Sequence, residues 1–291
     1  MRFGIMAMQI NRLIPTDVTP QNAMQYIATF NQVALVRQIA SSGFKLIELG
    51  GDLGMFMPQT FAPPTIEKLA ALKQELGLSY TVHLPLWSVE PSTPLTAVRH
   101  GSVLAVIDCI RATQSLQPET YVLHAYGALA AEFYRMRLPE SGRMLILQLF
   151  QNGARESVKT ILAETGIPSR KLAVETIEFP FDFLLALANE FDTSICLDTG
   201  HILAGFSGAI ELFDTLEKCL PRLAEIHLHD APSFLRTHTL GYGTDHQPLG
   251  TGDLDVARLL NRLKQANFDG PIIFELTVEQ ALASLNVVRS L

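Results

Sequence analysis

Residues 194–201, with the sequence SICLDTGH, join a run of apolar side chains to an aspartate and a histidine. A short, nearly continuous apolar run is typical of a strand that is covered on both faces, as strands are in a parallel sheet. Seven further segments have the same form. We therefore predict eight strands, at residues 2–6, 45–49, 79–83, 121–125, 172–176, 194–198, 223–229 and 271–276.

The segments between these strands have the periodicity of helices. In residues 65–78, 212–220 and 254–268, Leu, Ile or Ala recurs every three or four positions, and charged residues occupy many of the others. Strands that alternate with helices predict an α/β protein, a (β/α)8 TIM barrel formed by residues 1–291 as one domain. A doubly wound open sheet is the alternative, but no Gly-x-Gly-x-x-Gly follows the first strand.

Three connections, at residues 7–21, 126–142 and 230–252, are longer than the others. Loops that follow the strands of a barrel build and cover its active site. We therefore expect these three connections to surround the site.

The composition limits the partners and the compartment. The 291 residues carry a formal net charge of -7, and they include no dense basic run, so we expect no duplex nucleic acid as a partner. Three widely spaced cysteines argue against a disulfide framework and a thiolate zinc site, and they favour a reducing cytoplasm. No apolar run reaches about 18 residues, so we expect a cytoplasmic protein without a membrane span.

Residues that bind metal ions recur at the carboxyl ends of six consecutive predicted strands. In a barrel these ends converge on one face. Each such residue alone is more often a buried polar group with a protein partner. Their joint occurrence favours a metal site, and its members are His83, His124, Glu175, Asp198 with His201 just beyond it, His227 or His229, and Glu275.

Two features near the seventh strand add to this set. His227 and His229 lie on one side of the strand because its side chains alternate, and only one or two of them need be ligands. In the following loop, Asp245 and His246 precede a Gly-rich turn that brings an imidazole back over the barrel mouth, so we predict His246 as a ligand. Imidazole and carboxylate ligands suit zinc, our preferred ion, with manganese, iron and cobalt as alternatives.

The residues that bind the substrate are less distinctive. Trp87, in HLPLWSVEPSTP (83–94), either covers the barrel rim or stacks on a sugar or base. Arg99 either binds an anion or faces solvent. We assign Trp87, Arg99 and His229 to substrate binding.

These residues together resemble the xylose isomerase-like TIM-barrel superfamily, which contains sugar isomerases and epimerases as well as endonuclease IV (AP endonuclease family 2). The resemblance runs from the first strand to the last. It implies that the shared metal ligands are Glu175, Asp198, His227 and Glu275, and all four are present.

Other positions resemble endonuclease IV more closely, in which they hold three zinc ions. They are His83, His124, the Asp-x-x-His of Asp198 and His201, and the His-x-x-Leu-Gly-x-Gly that begins at His246. This sequence departs from that pattern at Thr244, where endonuclease IV has an aspartate two residues before the histidine, and this puts the third ion in question. Residues 83–94 are also similar to the cobamide-remodelling phosphodiesterases, which open the nucleotide loop of a corrinoid.

The resemblance leaves two reactions open. A phosphodiesterase acting on a small molecule would use a metal-bound hydroxide and two or three ions. One ion would lie at His83, His124 and Glu175, a second at the four shared ligands, and a third at His201 and His246. A sugar or sugar-phosphate isomerase or epimerase would use one ion, with Glu175 and Glu275 as acid and base. A non-catalytic metal-binding barrel is the third hypothesis, but it predicts the loss of a shared ligand.

Overall fold

The computed structural model describes residues 1–7, 18–19 and 21–291. Eight parallel strands follow one another around a closed barrel, and the last pairs with the first. The predicted (β/α)8 barrel is confirmed, because β1, β3 and β6 have the predicted bounds and the other strands differ by one or two residues at their ends. The strands are β1 Arg2–Met6, β2 Leu46–Gly50, β3 Ser79–His83, β4 Tyr121–Leu123, β5 Leu172–Glu175, β6 Ser194–Asp198, β7 Leu223–His227 and β8 Pro271–Phe274.

Helices connect the strands, and the three predicted helical segments are all confirmed. The α-helices in the described part of the chain are α1 Ala23–Thr29, α2 Gln32–Ser41, α3 Leu53–Phe56, α4 Pro63–Leu76, α5 Thr96–Thr113, α6 Ala128–Arg135, α7 Glu140–Thr165, α8 Phe181–Phe191, α9 Thr199–Leu203, α10 Leu212–Cys219, α11 Phe234–Thr237, α12 Val256–Gln265 and α13 Val278–Ser290. Short 3-10 helices lie at Pro58–Phe61, Gln114–Leu116, Ser169–Lys171 and Leu220–Arg222. Of the helices described, none has the length and apolar character to cross a bilayer.

The interior of the barrel is layered by the alternation of strand side chains. Val122, Ala173 and Cys196 form a small apolar cluster separate from the large core between strands and helices. Side chains two positions further along a strand face the same side, one level nearer the carboxyl end. For β5 and β6 these are Glu175 and Asp198, so the apolar layer forms the floor of the polar one.

Two of the three predicted long connections lie in the described residues. The connection after β4 contains α6 and the start of α7, and the connection after β7 contains α11 and an antiparallel bridge between Asp230 and Gln247. The predicted connection at 7–21 lies mostly outside the described residues.

Asp230 fixes the course of the connection after β7. Its carboxylate is fully buried and accepts hydrogen bonds from the backbone N–H groups of Ala231, Gly250, Gly252 and Leu254, each at 2.9 Å. A Cβ at Gly252 would overlap this carboxylate, so only glycine fits there. These bonds return the chain to the end of β7 after it has passed over the barrel mouth.

Replacing Asp230 with Ala should destabilise the fold, because each buried donor left without a partner costs about 1–3 kcal/mol. We expect a loss of about 3 kcal/mol or more in the free energy of unfolding, measured by chemical denaturation. The control is Asp269→Ala, which removes an exposed carboxylate and should change this free energy by less than about 0.5 kcal/mol. Equal stability of the two variants would contradict the role given to Asp230.

Candidate metal centre

Glu175, the last residue of β5, lies at the middle of the polar layer and is fully buried. Its Oε2 atom lies 3.1 Å from Nε2 of His83 and 2.9 Å from Nε2 of His124. Its Oε1 atom lies 3.1 Å from Nδ1 of His227. The two oxygens of this one carboxylate therefore face different histidines.

The electrostatics of this contact follow from burial and charge. Burial raises the pKa of Glu175, but the positive charges of His227 and His124 and their hydrogen bonds outweigh it and hold that pKa well below its usual range. Burial lowers the pKa of His83, but the hydrogen bond to Glu175 and the charges of nearby carboxylates outweigh it and raise the pKa to about 9. In the metal-free protein the imidazoles thus supply the positive charge that the buried carboxylates need.

Two groups of side chains that fit a divalent cation share Glu175. The first is Glu175, Asp198, His227 and Glu275, which offer ligand atoms within 4.8 Å of one another. The second is His83, His124 and Glu175, with the same spacing. Three carboxylates around one imidazole carry an excess of negative charge in a buried site, which a divalent cation would neutralise. The residues present therefore fit the ion that the sequence predicts.

A third group lies at the barrel mouth and consists of His201, His229 and His246. His201 belongs to α9, directly after β6, and the loop that Asp230 fixes brings His246 to within 3.2 Å of Glu275, measured from Nε2 to Oε2. All eight residues predicted as ligands thus fall into these three groups. Their binding of metal stays a prediction.

The three residues predicted to bind substrate have different surroundings. Trp87 is 49% exposed on the loop after β3, and its ring lies edge-on to Phe56 with 6.2 Å between the centroids. Asp52 fixes this loop, because its carboxylate accepts from the backbone N–H groups of Leu86 and Trp87 at 3.1 Å. Trp87 therefore presents an open aromatic face at the rim.

The guanidinium group of Arg99 is engaged by two protein partners. It is buried in α5, donates to the carbonyl oxygen of Thr93 at 2.8 Å and pairs with Glu156 of α7. These contacts join two outer helices, so the structure gives no support to anion binding by Arg99, and Arg99 does not face solvent either. His229 is also fully buried, with Nε2 at 2.8 Å from Oδ2 of Asp198.

Two further carboxylates near the centre, those of Glu48 and Glu225, are fully buried and were not predicted from the sequence. Oε2 of Glu48 lies 3.3 Å from Nε2 of His227, so this ring contacts Glu48 through one nitrogen and Glu175 through the other. Burial and the charge of Glu48 raise the pKa of Glu225 to about 8, so Glu225 is protonated at neutral pH. Glu48 lies near the end of β2, where the strand-end argument used for the other strands also applies.

Binding of Zn²⁺ at neutral pH is expected to release protons, because imidazole ligands must be neutral. In the metal-free protein the pKa of His83 is about 9. At His246, burial lowers the pKa, but Asp245 and Glu275 outweigh it and raise the pKa to about 11. Both raised values keep the rings protonated at pH 7, so the affinity for Zn²⁺ should increase as the pH rises from about 6 to 9. Calorimetric titrations with Zn²⁺ in buffers of different ionisation enthalpy measure the protons released, and an enthalpy independent of the buffer would contradict this expectation.

One curated protein and one family model are similar to this chain in sequence. A curated relative, an uncharacterized protein of Methanocaldococcus jannaschii, is 22% identical over 241 residues, which cover 78% of this chain and 75% of the relative. A family model described as xylose isomerase-like TIM barrel matches residues 36–291.

Solved structures have the same fold over the whole chain. A D-tagatose 3-epimerase-like protein superposes with a TM-score of 0.72 at 21% identity, covering 100% of this chain and 96% of that chain. Endonuclease IV from Thermus thermophilus superposes with a TM-score of 0.66 at 19% identity, covering 100% of this chain and 98% of that chain. At these identities the likeness shows the fold alone. Because the family model covers β2 to β8 and all eight candidate ligands, the chain belongs to the xylose isomerase-like TIM-barrel family.

Proposed function

We propose that the chain is a metal-dependent hydrolase of a phosphodiester in a small molecule, with at least two divalent ions at its centre. The observation that carries this proposal is the contact pattern of Glu175, whose Oε2 faces His83 and His124 while its Oε1 faces His227. A carboxylate with ligand groups beside both oxygens is suited to bridge two ions. When bound, such a pair of ions activates water and neutralises the charge that develops on the attacking and leaving oxygens of a phosphoester.

The residues of the chain have distinct tasks in this proposal. His83 and His124 approach Glu175 from β3 and from the end of β4, and they would hold one ion with it. Asp198, His227 and Glu275 would hold the second. With a proton on Nε2, His227 would donate a hydrogen bond to Oε1 of Glu48, at 3.4 Å, which leaves Nδ1 as the nitrogen that faces Glu175 and Glu275.

The rim and the net charge indicate the kind of substrate. Trp87 and Phe56 offer an exposed aromatic surface next to the end of β3, where a sugar ring or a base could stack while the phosphoester lies at the centre. The net charge of -7 gives no general attraction for a long polyanion. A small phosphodiester that carries a ring, such as the nucleotide loop of a corrinoid, fits both observations better than duplex DNA.

Sugar isomerisation or epimerisation is the second candidate, and one observation favours it. The group of Glu175, Asp198, His227 and Glu275 is complete without any other residue, and it includes two glutamates that face the same imidazole nitrogen at 3.1 and 3.4 Å. One ion in this group would bind a carbonyl and a hydroxyl, while Glu175 and Glu275 move protons. His83 and His124 would then contact the sugar and not a second ion.

The double variant His83→Ala, His124→Ala separates the two candidates. If these residues hold an ion that takes part in hydrolysis, the loss of several kcal/mol of stabilisation should lower the rate by at least about 100-fold. The assay uses the Zn²⁺- or Mn²⁺-loaded protein with a nitrophenyl phosphodiester, and elemental analysis counts the ions in the same samples. One ion fewer should accompany the loss of rate.

The matched control is His100→Ala, which removes an exposed histidine on α5 and should leave both the rate and the ion count unchanged. The same samples are tested for interconversion of ketohexose epimers. Epimerisation without phosphodiester hydrolysis, with one ion in both the wild type and the double variant, would refute the proposed hydrolase and support the second candidate.

A further inference from the structure

We infer that Tyr242, with Phe206 and Arg135 beside it, forms a second ring-binding subsite at the barrel mouth. It would take a nucleoside on one ester arm of the phosphodiester, while Trp87 contacts the ring on the other arm. That both rings belong to one substrate rests on the proposed function, whereas the binding of a nucleoside at Tyr242 does not require hydrolysis.

The side chain of Tyr242 is an exposed aromatic surface with a rigid support. It lies in the connection after β7 and is 48% exposed. Its ring is stacked on that of Phe206, with 5.0 Å between the centroids and 24° between the planes. Phe206 is buried, and its centroid lies 5.3 Å from that of His201. The aromatic pair therefore continues directly from the candidate ligands towards the rim, where a flat ring can stack on Tyr242.

The tip of the connection after β7 is held against the end of α9, and this fixes the position of Tyr242. The backbone N–H of Gly241 donates to the carbonyl oxygen of Ala204 at 3.1 Å. A Cβ at Gly241 would lie 2.9 Å from the Cβ of Ala204, so this close approach needs glycine. Gly243 has a φ of 72°, and the N–H of Thr244 closes the turn on the carbonyl oxygen of Gly241 at 3.0 Å. The aromatic ring thus stands on a tight turn.

Arg135, at the end of α6, adds polar groups beside this ring. Its Nη1 donates to the hydroxyl oxygen of Tyr242 at 2.7 Å and pairs with Oε1 of Glu178. Its side chain is 39% exposed, and among the described residues no hydrogen bond is found for its Nε and Nη2 atoms. These N–H groups lie side by side in the planar guanidinium and match two neighbouring acceptors, such as a base carbonyl and a sugar hydroxyl.

The surroundings of Arg135 favour a neutral polar ring over a second phosphate. Glu178 balances the charge of the guanidinium, so the subsite carries no net positive charge from this pair. Arg99 differs, because both of its Nη atoms have protein partners and its side chain is only 9% exposed. Arg135 therefore offers free donors next to an aromatic face, and a nucleoside, which has a flat base and several acceptors, fits both features.

The two aromatic surfaces start on opposite sides of the barrel mouth. Phe56 and Trp87 follow β2 and β3, whereas Phe206 and Tyr242 lie in the connections after β6 and β7. In a closed ring of eight strands these two pairs face each other across the centre. A diester bound among the inward-facing ligands would extend one arm towards each pair. An epimerase that acts on a single sugar would need only one such surface.

Equilibrium binding to the full, Zn²⁺-loaded chain tests the subsite. One probe is a phosphinate with thymidine on both arms, and the other is the phosphinate with thymidine on one arm and a methyl group on the other. Methylene groups replace the bridging oxygens, so neither probe is hydrolysed. We expect the wild type to bind the first probe at least about 10-fold more tightly, the usual scale of one base stacked on an aromatic ring. In Tyr242→Leu this advantage should disappear, whichever surface the single thymidine occupies.

Tyr242→Phe separates ring binding from a purely structural tie between the loops. It keeps the ring but removes the hydroxyl that accepts from Arg135, and it should retain most of the advantage. A side chain that only ties the loops together would lose the advantage in both variants. The control is Leu235→Ala, which changes an exposed residue of α11 in the same connection and should bind both probes as the wild type does. Thermal unfolding and elemental analysis check that each variant keeps its fold and its ions.

Three results would overturn the inference: equal affinity of the wild type for the two probes, no measurable binding of either, or an advantage that persists in Tyr242→Leu. The proposed function fails on a different result. A wild type that shows the advantage but hydrolyses no phosphodiester would refute hydrolysis and leave the subsite in place. Hydrolysis without the advantage would refute the subsite alone.

Discussion

The contact of one buried carboxylate, that of Glu175, with three imidazoles holds the candidate metal centre together. Transferring an isolated carboxylate to a protein interior costs several kcal/mol, and Glu48, Glu175 and Asp198 are all fully buried in one barrel. The metal-free chain compensates by holding protons on its histidines, as the raised pKa of His83 indicates. Divalent cations would compensate the same buried charges without protons on the histidines, so these carboxylates would favour metal binding.

The sequence alone predicts most of this arrangement, because the apolar runs of the strands and the alternation of their side chains are both local features. Apolar runs mark the strands, and the alternation of their side chains, together with the convergence of carboxyl ends in a barrel, places Glu175 and Asp198 in the same polar layer. The strand bounds differ from prediction by one or two residues, as at His229, which lies two residues beyond the end of β7. Each of the eight predicted ligands accordingly falls into one of the three groups.

The remaining features depend on contacts between distant segments. The alternation of strand side chains predicts the same direction for His227 and His229. The structure shows that His227 contacts Glu175, whereas His229 contacts Asp198 and the carbonyl oxygen of Asp245. Arg99 looks like a surface cation because its partner Glu156 lies 57 residues away on another helix. The position of His246 likewise depends on the four hydrogen bonds that backbone N–H groups donate to Asp230. No local sequence pattern predicts these bonds.

In the proposed centre, Glu175 would lie between two ions. Anomalous X-ray diffraction from crystals of the Zn²⁺-loaded protein tests it most directly, because each ion gives a separate peak at the zinc absorption edge. We expect one peak beside Oε2 of Glu175, next to His83 and His124, and a second beside Oε1, among Asp198, His227 and Glu275. A single peak within the second group, with His83 and His124 in contact with Glu175 alone, would contradict it.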